Sequence, residues 1–185
     1  MPTTALLILD IQNGIVERYG AACRPMLEAL ARATTAARAA AVPVIYVRAY
    51  FRPGAPEVGS LDTNFARFAR SSGGENDPAT AVHDSVAPQP SDLTVVKRRI
   101  SAFAGSDLAI LLRALGVRSL VLGGIATSGV VLSTLREAAD LDFDLTVLRD
   151  GCADPDDEVH RVLLDKVFPR QATVRSVTAW VDSLS

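Results

Sequence analysis

Leu6-Leu7-Ile8-Leu9-Asp10 is a run of four apolar residues that ends on a carboxylate. It shows no apolar–polar alternation, so a strand made from it buries both faces. That is the condition of a strand inside a parallel sheet covered by helices on either side. The same kind of run recurs at Val42 to Val47, Leu93 to Val96, Ser119 to Leu122, Leu145 to Leu148 and Ala172 to Val174.

Helical patterns separate these runs. Pro25 suits a first helical turn, and an alanine- and arginine-rich helix follows to about Ala41. Ser106 can cap a helix with Leu108, Leu111, Leu112 and Leu115 on one face, closed by Gly116. Ser128 can cap the next, with Val131, Leu135, Ala138 and Ala139 at core spacing. Asp154-Pro155-Asp156-Asp157-Glu158 reads as a helix start, with Asp154 as cap, proline next and carboxylates on the positive end of the dipole. A short helix ends the chain. Strand–helix alternation of this kind predicts an α/β fold: a three-layer α/β/α, Rossmann-like domain over residues 1–185 with a six-stranded parallel sheet. The exception is Arg48 to Gln89, rich in Gly, Pro, Ser and Asn. A segment this long within one domain is functional or carries short helices of its own, as Thr63 to Arg70 does on this reading.

Composition excludes several function classes. The 19 basic and 21 acidic residues leave a net charge of −2, and no basic run beyond Lys97-Arg98-Arg99 occurs, so no nucleic-acid or anionic-membrane footprint is expected. No apolar run approaches the roughly 20 residues of a membrane span, and Met1-Pro2-Thr3-Thr4 does not read as a signal peptide. Cys23 and Cys152 make no metal or CxxC pattern. A reducing, cytoplasmic setting is the expectation.

Ligands of open parallel sheets bind beyond the carboxyl ends of the strands. Residues expected at that edge are Asp10, Arg48, Lys97, the turn Gly123-Gly124-Ile125-Ala126-Thr127-Ser128-Gly129, and Asp150. The glycine spacing fits neither a dinucleotide fingerprint nor a P-loop. The turn either makes a tight strand-to-helix connection only, or offers helix N-terminal N–H groups to a developing oxyanion. Asp10 and Lys97 both interrupt apolar runs and are expected to be buried and paired, as a structural ion pair or as a catalytic one. A lysine beside the aspartate favours its ionised form and so lowers its pKa.

The same residues carry a family resemblance. Leu6 to Asn13, with its Asp-x-Gln, resembles the opening strand of isochorismatase-like hydrolases. Lys97-Arg98-Arg99-Ile100-Ser101-Ala102-Phe103 resembles the segment holding the family lysine, and Leu120 to Val131 resembles its nucleophile turn. The resemblance runs through the whole chain in order. It implies a six-stranded parallel sheet, a homo-oligomer (dimer or tetramer), no cofactor, and an Asp–Lys–Cys set in which the cysteine is acylated. It also implies a cis peptide between Ile125 and Ala126 that shapes an oxyanion hole from the N–H groups of Ala126 and Val130. The chain departs from the pattern at the nucleophile, where Val130 stands, and valine cannot be acylated. Thr127 and Ser128 are hydroxyls nearby, read as brace and cap because no histidine is evident beside them to activate either. The metal-binding variant of the family needs ligands after the second strand, and Arg48-Ala49-Tyr50-Phe51-Arg52 supplies none, so no metal is expected. His83 and His160 are read as peripheral.

Three readings stay open. One is hydrolysis of a small metabolite by Asp10, Lys97 and water, including the vinyl-ether cleavage of cysteine-free family members. Another is a non-catalytic binding module. The third is a lyase or isomerase with Asp10 moving a proton. Gln12, Ala126 and Thr127 are expected to contact the substrate, Arg48 or Arg52 to meet a carboxylate, and Phe103 to line an apolar wall.

Overall fold

Leu6, Leu7 and Leu9 are completely buried, as a strand with neighbours on both sides and helices on both faces requires. The computed structural model describes residues 3–60 and 63–184. In chain order the elements are β1 (Thr3–Leu9), α1 (Asn13–Tyr19), α2 (Arg24–Ala39), β2 (Val44–Ala49), α3 (Asn64–Ser71), β3 (Leu93–Lys97), α4 (Leu108–Ala114), β4 (Val117–Ile125), α5 (Leu132–Asp140), β5 (Asp144–Ala153), α6 (Asp157–Val162), β6 (Thr173–Arg175) and α7 (Val177–Asp182). The six strands form one parallel sheet in the order β3-β2-β1-β4-β5-β6.

Successive β1 residues face opposite layers. Leu7 and Leu9 join Leu108, Leu112, Leu135 and Phe168 in one core, while Leu6 and Ile8 join Leu30, Ala33 and Trp180 in the other. The chain leaves β1 toward β2 and β3, then returns to the other side of β1 with β4. The order therefore reverses between β1 and β4, the place where open sheets bind their ligands.

Several local expectations change. β5 runs on to Ala153, so Asp150 lies within it, and its carboxylate accepts from the N–H of Val177 at 2.7 Å. Asp156, not Asp154, caps α6, taking the N–H groups of Glu158 and Val159. Asp154 is instead drawn toward the end of β4. Ser128 does not cap; a wide turn over Thr127–Val131 leads into α5, with Ala126 at the cap position and no side-chain bond. α1 was not foreseen, because its few residues lack a full apolar stripe. In the long 48–89 segment, Thr63 caps α3 through the N–H of Ala66. Phe51 meets Phe65 and Phe68 edge-on at 6.0 and 6.2 Å, giving that segment a small core of its own. Arg38 grips Asp92 at 2.7 Å and the Tyr46 hydroxyl at 2.9 Å, pinning the approach to β3 against α2. Among the described residues, no helix is long and apolar enough to cross a membrane.

Candidate active site

Asp10 leaves β1 with a positive φ of 56°, a conformation that aspartate tolerates better than most residues. Its N–H still donates to the Val47 carbonyl at 3.0 Å, so the residue is fixed to β2 as it turns off the sheet. Lys97 closes β3 opposite Ala49, the last residue of β2. Its Nζ stands 3.0 Å from Asp10 Oδ2 and donates to the Arg99 carbonyl at 3.0 Å. Lys97 is 3 % exposed and Asp10 7 %, so the pair is shielded from solvent. Asp10 Oδ1 is buried with no hydrogen-bond partner among the described residues. Burial pushes the Asp10 carboxyl above the ordinary aspartate range, against the lowering pull of the Lys97 charge and hydrogen bond. The lowered value expected from the lysine alone is therefore corrected: desolvation of a carboxyl this deep is the larger effect.

Leu9 pairs with Gly124, so Asp10 lies alongside Ile125 at the mouth of the β4 turn. Gly124 makes the approach possible: a Cβ there would lie 2.1 Å from the Leu9 carbonyl oxygen. The Ile125–Ala126 peptide is cis, where the resemblance implies it. The Ala126 carbonyl then accepts from Gly129 and Val131 at 3.1 and 3.2 Å, closing the turn. Val130 is 3 % exposed and packs in the core with Leu9, Val131 and Cys152.

The other candidate side chains are held by the scaffold. Gln12 Nε2 donates to the carbonyls of Ala49 and Thr80 at 3.0 and 2.9 Å, and its Oε1 accepts from Ala49 N–H at 2.7 Å. Arg48 donates to the Thr80 and Glu75 carbonyls at 2.8 and 3.2 Å and lies over the Tyr50 ring. Arg52 pairs with Glu57 at 2.5 Å. Phe103 stacks obliquely on Phe143, ring centres 6.1 Å apart. Cys152 is buried, which pushes its thiol up to about 12 and leaves it unreactive. Cys23 donates to the Gly20 carbonyl at 3.1 Å.

Thr127 brings the clearest correction. Its hydroxyl lies 2.8 Å from His160 Nδ1, so a histidine does stand beside it. The signal was present in topology: α6 follows β5, the neighbour of β4, and so begins at the same sheet edge. Thr127 is nonetheless completely buried and its hydroxyl is engaged by His160, which fits a brace better than a nucleophile. Asp154, also missed, takes the Ser128 N–H at 2.7 Å.

Among the described residues, no three His, Cys, Asp or Glu side chains gather as they would around a metal ion.

The family described as "Isochorismatase domain" matches residues 4–179. The isochorismatase family protein YecD of Escherichia coli O157:H7 is 29 % identical over 98 % of this chain and 96 % of its own length. The ureidoacrylate amidohydrolase RutB of Stutzerimonas stutzeri is 35 % identical over 80 % of this chain and 68 % of its own. An isochorismatase family protein of Burkholderia thailandensis superposes with a TM-score of 0.86 at 29 % identity, covering 100 % of this chain and 96 % of that one.

Proposed function

The chain belongs to the isochorismatase family of hydrolases, and from that premise we propose that it hydrolyses a carboxamide- or ureido-type bond in a small metabolite with Asp10, Lys97 and water, without a cysteine. The observation that carries this reading is the unpartnered Asp10 Oδ1, held at the β4 turn by the grip of Lys97 on Oδ2. A buried carboxylate oxygen without a partner has free capacity for a water or a substrate proton. The bond type comes from relatives such as the ureidoacrylate amidohydrolase, whose name places it on that chemistry.

In this scheme Asp10 Oδ1 takes a proton from water as the oxygen attacks the carbonyl carbon. The N–H groups at the start of the turn receive the oxyanion. As the C–N bond breaks, the same proton passes from Asp10 to the leaving nitrogen. Lys97 remains charged and fixes the carboxylate throughout. The Val130 side chain occupies the place of the family thiol and leaves water as the nucleophile.

A second reading keeps the same residues. Burial raises the Asp10 carboxyl, which favours a protonated acid able to protonate a vinyl ether before water adds. Turnover of a panel of ureido, carboxamide and vinyl-ether compounds, with Asp10→Asn as control, tests both. If ligands bind and nothing turns over, the protein is a binding module. If wild type and Asp10→Asn turn over every compound equally, the site is elsewhere. The proposal includes one domain over residues 1–185, a homo-oligomer as the resemblance implies, and the cytoplasmic setting expected from the two scattered cysteines.

A further inference from the structure

The turn that would hold the oxyanion is fastened from behind. Two contacts from the β5–α6 side reach it: His160 Nδ1 to Thr127 Oγ1 at 2.8 Å, and Asp154 Oδ2 to Ser128 N–H at 2.7 Å. Asp154 is itself fixed, because its Oδ1 takes the N–H of Asp156 at 3.3 Å and Ala153 pairs with Ile125 across the sheet. The two ends of this clamp differ in access to solvent. Thr127 is sealed in the core, whereas His160 lines an open cavity of about 340 Å³ together with Tyr19, Met26, Asp150, Cys152 and Asp157.

We propose that His160 is a positioning residue of the active site, setting the Ala126–Val130 turn through Thr127 and making that turn responsive to pH. The inference rests on the hydrolase reading for what the turn does, but not for how the turn is held. A neutral imidazole with its proton on Nε2 accepts the Thr127 hydroxyl at Nδ1. A protonated ring has only donors, so the bond reverses: the Thr127 hydroxyl rotates to accept from Nδ1–H, and its own proton must turn to another acceptor within the segment it anchors.

The groups facing His160 come from three elements. Asp154 and Arg149 lie on or just past β5, Asp157 and Asp165 on α6 and the turn after it, and Tyr19 on α1 across the cavity. Partial burial holds the imidazole below its usual range and outweighs Asp154, while Arg149 adds to the lowering and Asp157 and Asp165 oppose it. The Tyr19 phenol, pushed up to about 12 by burial and by Asp154, stays neutral alongside. The ring is therefore neutral near pH 7, and the clamp reverses its hydrogen bond only on the acid side.

Two variants separate positioning from mere packing. His160→Asn keeps an acceptor near Nδ1 but does not titrate; His160→Leu keeps bulk and removes the acceptor. NMR of the full chain from pH 8 to pH 5 should show the Thr127, Ser128 and Gly129 amide signals moving with the His160 ring in the wild type and holding still in His160→Asn. With a substrate from the panel, His160→Leu should lower kcat by about tenfold to a hundredfold with KM little changed, and His160→Asn should restore most of it and flatten the acid limb of the profile. Turn signals that stay flat while His160 titrates overturn the proposal, as does a folded His160→Leu protein with wild-type turn signals and turnover. If no compound is turned over, the hydrolase reading fails and the NMR comparison still decides this one.

Discussion

Lys97 Nζ stands 3.0 Å from one oxygen of Asp10, and the other has no partner among the described residues. The asymmetry separates two tasks that one carboxylate must perform. The paired oxygen fixes position and charge, and the free oxygen exchanges a proton. An unmet buried acceptor costs about 1–3 kcal/mol, a cost that a water or a substrate proton on the free oxygen would offset.

Asp10→Asn should abolish turnover, by at least a hundredfold in kcat, with substrate affinity largely kept, because shape and the turn N–H groups remain. Both variants break a buried pair from one side, Asp10→Asn stranding the ammonium and Lys97→Met the carboxylate, at about 3–5 kcal/mol; Lys97→Met keeps the proton-transfer group and should lower turnover less. Urea unfolding of the two variants beside steady-state kinetics checks this. Equal turnover by Asp10→Asn and wild type would remove Asp10 from the chemistry.

The pH profile distinguishes base from acid. The Asp10 carboxyl sits above its ordinary range in the fold. As a base it works only when ionised, so turnover should rise with pH through that raised value and then level off. As an acid for a vinyl ether it works only when protonated, and turnover should fall over the same window. The sign for stability follows from linkage. A carboxyl whose folded pKa is raised contributes most in its protonated form, and that contribution is lost as pH climbs through the folded value. Asp10→Asn, which cannot ionise, should flatten that part of the stability profile.

Val130→Cys tests whether the scaffold still forms the oxyanion site. The position lies on the turn beside Asp10, so a thiol there should show new esterase or amidase activity and react with an alkylating reagent ahead of Cys23 and Cys152. In the unaltered chain, alkylation of Cys23 and Cys152 should leave turnover unchanged, since Cys152 is held as an unreactive thiol. Loss of activity on blocking Cys152 would place the site elsewhere.

The fold was legible because Leu6 to Leu9 and its counterparts are apolar on both faces and alternate with helical patterns, the combination a covered parallel sheet requires. Asp10 and Lys97 were legible for the same reason, as charges placed where apolar runs stop. What the sequence could not supply was the direction of side chains past the strand ends. Ser128 has the chemistry of a cap, yet Asp154 reaches its N–H from the next strand and Thr127 turns toward His160. Both partners lie more than 25 residues away along the chain, and no local spacing encodes that meeting. The direction of the Asp10 shift is a further case: burial and a lysine partner are both legible where apolar runs stop, but which of the two opposing effects is larger depends on a depth that only the fold defines.

Gln12 offers the sharpest contrast between a brace and a substrate contact. Its amide makes three hydrogen bonds with backbone, two with Ala49 and one with Thr80, and Gln12 is 2 % exposed. These bonds tie the start of α1 to the end of β2 and to the segment before β3, which also meets Gln12 through the Val82 bridge. Gln12→Leu keeps the volume and removes the bonds, leaving buried backbone groups unmet at about 1–3 kcal/mol apiece. The expected loss is about 3 kcal/mol, seen as a lower urea midpoint at unchanged slope. Kinetics supply the other half of the test. A residue that binds substrate through its amide would raise KM and leave the midpoint in place. A brace lowers the midpoint first, and at temperatures where the protein stays folded the KM of Gln12→Leu should remain close to that of the wild type.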